Sequence, residues 1–321
     1  MLPAVFLLLV GFVLLIQGAN WLVSGASSLA KRFNVSELVI GLTIVAFGTS
    51  APELVVNVLA SVSGANDITL GNIIGSNNFN LFFILGIAGL IYPLSVHYNT
   101  VWREIPYSLL AVVLMLLIAN DVLLNGAAAN NIDRTDGIIL LLFFVAFLYY
   151  AYLSLQSETI APDDADAVKD LGTVKSVLFI VLGMALLIGG GKLVVDNAIT
   201  IAKILQLSEK LIGLTIVAAG TSLPELATSA VAAFKKRSDI AVGNVVGSNI
   251  FNIFFILGTS AVIKPITYNT SFNADGLLLI VGTVLLFGVM FLGKRHTLSR
   301  LEAGVFCGIF LLYTVYLVLQ G

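Results

Sequence analysis

The sequence predicts an all-α polytopic membrane protein in which ten transmembrane helices form two inverted five-helix repeats. Three observations carry this prediction: long apolar stretches, an internal duplication, and an uneven distribution of Lys and Arg between loops. Of the 321 residues, 59% are hydrophobic and only 11% are charged. Because a soluble domain carries about 25% charged residues, we expect most of this surface to face lipid.

The apolar stretches fit helical spans rather than the strands of a membrane barrel. A helix needs roughly 20 apolar residues to cross a bilayer, whereas barrel strands are short and alternate in polarity. The first stretch has no basic leader or cleavage site, so we expect it to be retained as a helix. Ten stretches meet the helical requirement, at about residues 3–29, 37–62, 69–91, 103–119, 136–155, 174–200, 209–233, 241–262, 275–292 and 301–319.

An internal duplication divides the chain almost in the middle. Residues 36–93 and 208–265 are identical at 32 of 58 positions without a gap. We therefore predict a first five-helix repeat over 1–156, an acidic cytoplasmic linker over 157–173 and a second repeat over 174–321. Since five is an odd number, the two repeats are expected to enter the membrane in opposite directions.

The positive charges support this inversion. Eleven Lys and Arg residues lie in loops that follow odd-numbered spans, and four lie in the alternate loops. The positive-inside rule places the first set of loops in the cytoplasm and both termini outside. The loop 63–66 is uncharged, whereas its copy 235–238 carries three positive charges. Inverted repeats with a substrate site at their midplane interface recur among transporters.

Both copies interrupt an apolar stretch with one polar motif, GTSAPE at 48–53 and GTSLPE at 220–225. A proline removes a backbone N–H and frees helical carbonyls. At membrane depth a free carbonyl needs a partner, and a bound cation is one such partner. Residues spaced by one and four positions share a helix face, which groups Thr49, Ser50 and Glu53 in one copy and Thr221, Ser222 and Glu225 in the other.

The next span of each half carries a polar stripe in the motifs GNIIGSNNFN and GNVVGSNIFN. A single stripe is also typical of polar contacts between helices, but its duplication beside two carboxylates favours a binding site. Asn57 lies one turn beyond Glu53, but its copy is Ser229, so we assign it a supporting role only. The spacing of four puts two sets on one face each: Asn72, Ser76 and Asn80, and Asn244, Ser248 and Asn252.

Glu53 and Glu225 indicate what the site binds. A carboxylate within the membrane is costly and is read as functional by default, and the apolar cores of the four spans concerned contain no Lys or Arg. All candidate ligands are hard oxygens, which exclude thiolate- and imidazole-seeking metals and favour calcium, magnesium, manganese or sodium. A flexible oxygen cage suits calcium better than magnesium. Competition of divalent and sodium ions for two charges is a physical basis for antiport.

Other functions fit the residues less well. A proton-coupled cation antiporter is the main alternative, because two carboxylates held close together bind protons more readily. A channel usually gathers several subunits around a pore. A hydrolase with Ser50 or Ser222 as nucleophile would need a positioned base, but His97 and His296 fall in loops. We therefore expect no enzyme and no cofactor, and the single cysteine, Cys307, allows no intramolecular disulfide.

The two motif pairs resemble the two α-repeats of the sodium/calcium exchanger family, within the cation/calcium exchanger superfamily. GTSAPE with GNIIGSN and GTSLPE with GNVVGSN carry the resemblance, which covers the full length and is closest to the prokaryotic members. The resemblance implies exchange of sodium for calcium across the cytoplasmic membrane by alternating access. The implied partners are calcium, sodium and the lipid bilayer, with no nucleic acid and no obligate protein partner.

The resemblance also implies which residues bind the ions. For the divalent ion these are Glu53, Glu225, Thr49 and Thr221. For sodium they are Ser50, Ser76, Ser222 and Ser248, aided by the main-chain oxygens of Ala46 and Ala218. Asn80 and Asn252 would line the centre, but some relatives carry aspartate at the position of Asn252. One fewer carboxylate leaves the sodium stoichiometry and proton participation open, and it argues against potassium dependence.

Finally, the resemblance implies that helices one and six slide as a pair between two access states. Both stretches contain glycines that would allow close packing of the two helices. These are Gly18, Gly25, Gly183 and the run 189–191.

Overall fold

The structure is a computed structural model that describes residues 2–96, 98, 100–126, 129–157, 169–205, 218–292 and 295–320. Helices make up most of this part of the chain. They are α1 Leu2–Phe33, α2 Glu37–Thr49, α3 Ala51–Ser63, α4 Asn66–Ile91, α5 Thr100–Ala119, α6 Asp121–Asn125, α7 Arg134–Ser157, α8 Thr173–Ile204, α9 Ala218–Gly220, α10 Leu223–Phe234, α11 Ser238–Ile263, α12 Phe272–Val289 and α13 Arg300–Gln320. Four short strands are β1 Leu94–Ser95, β2 Asn131–Ile132, β3 Ile266–Thr267 and β4 Thr297–Leu298.

The predicted all-α polytopic fold is confirmed. Eight of the described helices are long and apolar enough to cross a membrane, and the bent pair α2–α3 forms a ninth candidate span. The seventh predicted stretch starts within residues 206–217, outside the described part, and continues as α9 and α10. The predicted linker falls mostly on residues 158–168, also outside the described part, so the domain boundaries stay a prediction.

Each proline motif begins a new helix instead of bending a continuous one. Helices α2 and α3 meet at an angle of 48°. Ser50, with φ −83° and ψ 8°, ends α2 and precedes α3, and Pro52 lies in the first turn of α3. The first turn tolerates proline because its N–H would have no helical partner there. Ser222, with φ −90° and ψ 9°, and Pro224 repeat the arrangement at the start of α10.

Helices α4 and α11 lie at the centre of the molecule. In their most apolar windows, 78% and 94% of the residues are buried, against 17% in α13. Both change from α- to π-helical geometry at equivalent positions, over Phe79–Ile84 and Phe251–Leu257. A π-helical turn re-aims the side chains around it and is frequent at functional sites. The duplication is therefore visible in an unusual backbone feature as well as in sequence.

Helices α1 and α8 form a long packed pair. Each has 32 residues, about 48 Å at 1.5 Å per residue, which exceeds a bilayer core of about 30 Å. A Cβ added to Gly18 would lie 2.7 Å from the carbonyl oxygen of Gly183. Within the run 189–191 the contacts differ: Gly190 approaches the backbone of Gly11, whereas nothing lies within 4 Å of a Cβ added to Gly189.

Contacts between the halves fit the inverted arrangement. Strand β1 pairs with β4 and β2 pairs with β3, both antiparallel, so each pairing joins loops from opposite halves. Glu37, at the start of α2, lies 3.6 Å from Arg237, which follows α10. The start of the second span therefore meets the end of the seventh, and these equivalent spans run in opposite directions.

Candidate cation-binding site

The two motif glutamates lie deep in the structure, where α3 and α10 begin. Glu53 and Glu225 are each only 1% exposed. Each belongs to the first turn of its helix, where unpaired backbone N–H groups carry a positive partial charge. The broken helices therefore stabilise negative charge at this depth without a basic side chain.

Serines from each repeat bind the glutamate of the other repeat. Ser50 Oγ donates to Glu225 Oε1 at 2.8 Å, and Ser222 Oγ donates to Glu53 Oε1 at 2.9 Å. The serines of the central helices complete the set, with Ser50 Oγ at 3.0 Å from Ser248 Oγ and Ser222 Oγ at 3.1 Å from Ser76 Oγ. The structure thus brings six predicted residues into one buried cluster.

The threonines of the motifs contact asparagines on the central helices. Thr49 Oγ1 donates to Asn244 Oδ1 at 3.0 Å, and Asn72 Nδ2 donates to Thr221 Oγ1 at 3.2 Å. The sequence placed Asn72 and Asn244 on the polar stripes but did not include them among the ion ligands. Both contacts again join the two repeats.

Two further asparagines were missed by the sequence reasoning. Asn80 Nδ2 donates to Asn249 Oδ1 at 3.1 Å, and Asn252 Nδ2 donates to Asn77 Oδ1 at 2.9 Å. Asn77 and Asn249 lie outside the stripes with a spacing of four. Their signal was present in the duplicated GSN triplet, where both copies keep the asparagine.

The two alanines whose main-chain oxygens were predicted as sodium ligands are Ala46, in α2, and Ala218, in α9. The carbonyl of Ala46 accepts the N–H of Ser50 at 3.0 Å and the hydroxyl of Thr49 at 3.3 Å. It therefore has helical and side-chain partners. Ala218 begins α9, directly after residues 206–217, which lie outside the described part of the chain.

Four buried oxygens of the cluster have no hydrogen-bond partner in the described part of the chain. They are Glu53 Oε2, Glu225 Oε2, Asn80 Oδ1 and Asn252 Oδ1. Neither glutamate forms an ion pair with a described Lys or Arg. A buried oxygen without a partner loses its hydration at a cost of about 1–3 kcal/mol, and more when it is charged. Such a set of hard oxygens suits calcium or sodium.

The cluster is more open on one side than on the other. Asn72 and Thr221 are partly exposed, whereas their equivalents Asn244 and Thr49 are buried. The neighbouring glycines follow the same division: Gly71 and Gly75 of α4 are partly exposed, and their equivalents in α11 are buried.

Comparison with known proteins identifies the family of the chain. The family model described as "Sodium/calcium exchanger protein" matches residues 3–153 and 175–319. The chain belongs to the sodium/calcium exchanger family. The predicted family, of the prokaryotic type within the cation/calcium exchanger superfamily, is confirmed, and so is the prediction of a transporter rather than an enzyme.

Relatives of this exchanger align over nearly their whole length. The putative antiporter CaxA of Alkalimonas amylolytica is 38% identical, with 98% of each chain covered. The sodium/calcium exchanger MaX1 of Methanosarcina acetivorans is 31% identical, with 97% of each chain covered. Among solved structures, the sodium-calcium exchanger NCX_Mj superposes with a TM-score of 0.82 at 31% identity, with 97% of each chain covered. The exchanger is therefore a multi-pass membrane cation/calcium antiporter with two inverted repeats.

Proposed function

We propose that the chain exchanges sodium for calcium by alternating access, with both ions competing for the buried cluster at the interface of the repeats. The main support for this proposal is the set of four buried oxygens without a described hydrogen-bond partner, two on glutamates and two on asparagines. Because a cation would supply the missing partner to all four, we assign them to the ion site. The proposed ligands are Glu53, Glu225, Thr49, Thr221, Ser50, Ser222, Ser76, Ser248, Asn80, Asn252, Ala46 and Ala218.

Charge balance supports competition between the ions. Two carboxylates neutralise one calcium ion or two sodium ions. Loading both species together would leave uncompensated positive charge in a medium of low dielectric constant, where charges interact strongly. The serine hydroxyls that donate to the glutamates can also bind sodium. A hydroxyl oxygen has two lone pairs, and rotation of the hydroxyl can direct them at a cation.

Alternating access is supported by the uneven exposure of the cluster. The open side contains Asn72 of α4, near the uncharged loop 63–66 that the charge distribution places outside. The closed side contains Asn244 of α11, near the basic loop 235–238. We infer an outward-open state, with the chain in the cell membrane, both termini extracytoplasmic and the linker over 157–173 in the cytoplasm. The glycine contacts between α1 and α8 would allow the pair to slide as the site changes sides.

The names of two relatives agree with sodium as the counter-ion. MaX1 and NCX_Mj are both named as exchangers of sodium and calcium. Asparagine at position 252 in place of a carboxylate is the reason to expect no potassium dependence.

Calcium flux in proteoliposomes tests the proposal. Purified protein is reconstituted, and gradients of sodium, potassium and protons are imposed one at a time while calcium uptake is followed. We expect a sodium gradient to drive saturable uptake, and a potassium gradient to have no effect. Uptake driven by a pH gradient but not by sodium would overturn sodium coupling in favour of the proton-coupled alternative. Flux that needs no counter-ion and does not saturate would overturn antiport altogether.

A further inference from the structure

Asn57 in α3 and Ser229 in α10 occupy equivalent positions, but they differ chemically. Each lies one turn after the glutamate of its motif, and each is fully buried. Each contacts the asparagine that in turn contacts a threonine of the site. The duplicated cluster is otherwise built from identical residue pairs, so this position is where the two halves of the site become unequal.

The first relay is the series of hydrogen bonds that runs from Asn57 through Asn72 to Thr221. In it, the main chain fixes the orientation of both amides. Asn57 Nδ2 donates to the carbonyl oxygen of Glu53 at 2.7 Å. Because a carbonyl oxygen can only accept, the nitrogen end of Asn57 must lie there. The same Nδ2 group donates to Asn72 Oδ1 at 2.6 Å. Asn72 is left with its nitrogen toward Thr221, and it donates to Thr221 Oγ1 at 3.2 Å.

The second relay runs from Ser229 through Asn244 to Thr49. Here a main-chain carbonyl fixes the amide of Asn244 in the orientation opposite to that of Asn72. Asn244 Nδ2 donates to the carbonyl oxygen of Glu225 at 3.3 Å and to Ser229 Oγ at 2.9 Å. Ser229 can accept this bond because its own hydroxyl donates to Ala241 O at 3.3 Å. Asn244 therefore turns its oxygen toward Thr49, whose hydroxyl donates to it at 3.0 Å.

We propose that Asn57 and Ser229 give the two threonines of the site opposite hydrogen-bond polarity and so make its two ends unequal cation ligands. A hydroxyl has one proton and two lone pairs. Thr49 shares its one proton between Asn244 Oδ1 at 3.0 Å and the Ala46 carbonyl oxygen at 3.3 Å, and it keeps both lone pairs for a cation. Thr221 accepts from Asn72 with one lone pair and donates its proton to the Glu53 carboxylate, so only one lone pair is left for a cation. This inference rests on the proposed function, and Asn57 is a positioning residue that acts through Asn72.

Exchanging the two residues one at a time tests this polarity. In Asn57→Ser, Asn72 can turn over and donate to the new hydroxyl and to the Glu53 carbonyl, as Asn244 does in its own half. Thr221 would then donate to Asn72 and gain a lone pair for the cation. We expect the external calcium concentration for half-maximal uptake to fall about fivefold, the factor that the net contribution of one hydrogen bond represents. Ser229→Asn should raise it by about the same factor, because Thr49 becomes an acceptor.

Opposite shifts with similar maximal rates would support the proposal. A purely structural defect lowers the maximal rate of both variants and does not move their half-saturation concentrations in opposite directions. A second Thr221→Val substitution should remove the gain of Asn57→Ser, since the effect passes through that hydroxyl. Shifts in the same direction, or no shift in either variant, overturn the inference.

The same assay separates this inference from the function on which it rests. If Glu53→Gln abolishes uptake while Asn57→Ser and Ser229→Asn behave as wild type, the proposed site stands and the polarity relay is wrong. If Glu53→Gln exchanges normally, the proposed site itself is wrong.

Discussion

Ser222 Oγ donates a hydrogen bond of 2.9 Å to Glu53 Oε1, although 169 residues separate the two in sequence. Ser50 and Glu225 form the matching bond, 175 residues apart. Each carboxylate of the proposed site is therefore held by a hydroxyl from the other repeat. A substitution in one repeat is expected to alter the ligands of the other.

Removing either carboxylate should nearly abolish exchange. In Glu53→Gln or Glu225→Gln, one remaining charge faces a divalent ion at a buried position. Breaking a buried charge pair costs about 3–5 kcal/mol, so we expect sodium-driven calcium uptake to fall at least about a hundredfold. Glu37→Gln is the matched control, because Glu37 lies at the start of α2 beside Arg237 and outside the cluster. Normal uptake by either cluster variant would contradict a site with two carboxylates.

Removing a serine hydroxyl should weaken sodium binding. Ser50→Ala and Ser222→Ala each remove a proposed sodium ligand and the hydrogen bond to a glutamate. We expect the sodium concentration for half-maximal calcium release to rise about fivefold in each, the size of one net hydrogen bond. Ser61→Ala is the control on α3, since this buried hydroxyl has no hydrogen-bond partner in the described part of the chain. Equal behaviour of all three variants would remove the serines from the ion site.

Two adjacent glycines of α8 should respond oppositely to alanine. A Cβ on Gly190 would lie 2.9 Å from the carbonyl oxygen of Gly11, so Gly190→Ala must push α1 and α8 apart. Overpacking of this kind costs about 1–3 kcal/mol, and we expect a lower unfolding temperature and slower exchange. Gly189→Ala meets open space, and alanine favours a helix over glycine by about 1 kcal/mol. Thermal unfolding in detergent and flux measurements should therefore rank Gly189→Ala at or above wild type. A reversed order would disprove the close packing.

Lys235, at the end of α10, forms two hydrogen bonds to α1. Its Nζ donates to Asn20 O and to Ser24 Oγ, both at 3.0 Å. We expect Lys235→Met to lower the free energy of unfolding by about 1 kcal/mol, the net worth of such bonds. Thermal unfolding at pH 7 should detect this loss, and Lys236→Met is the comparison variant, since Lys236 is exposed and its Nζ lies 5.9 Å from the Tyr92 ring centroid, a contact that does not join α10 to α1. Equal unfolding temperatures for the two variants would show that the contact contributes nothing.

The same contact predicts a pH dependence with a defined sign. Burial, and then the positive charge of Arg237, lower the pKa of Lys235 in the folded protein, while an unfolded lysine has a pKa of about 10.4. Between these pKa values the unfolded chain binds more protons, so the stability contributed by Lys235 rises with pH. The difference in unfolding temperature between wild type and Lys235→Met should be larger at pH 10 than at pH 7. A difference that shrinks with pH would contradict the shift.

The sequence predicted the fold and most residues of the candidate site because both depend on local signals. Apolar length identifies spans, and the duplicated proline, serine and glutamate identify the broken helices. Asn77 and Asn249 were not predicted as site residues, since they lie off the stripe and meet Asn252 and Asn80 only through the crossing of α4 and α11. The spacing of residues along one helix does not predict where that helix crosses another. The amide orientations of the two relays likewise depend on main-chain carbonyls, which no side-chain pattern records.

The serine–glutamate bonds between the repeats have a consequence for chains of half this length. Each carboxylate accepts from a serine on a segment that runs the other way through the bilayer. A lone five-helix protein carrying one such motif would hold a glutamate without its serine. It could build the cluster only by meeting a second molecule of itself inserted upside down. Such a protein would need loops with balanced positive charge, so that both insertions occur. The three basic residues at 235–237 are absent from the first copy, and by the positive-inside rule we expect them to bias this chain to one insertion.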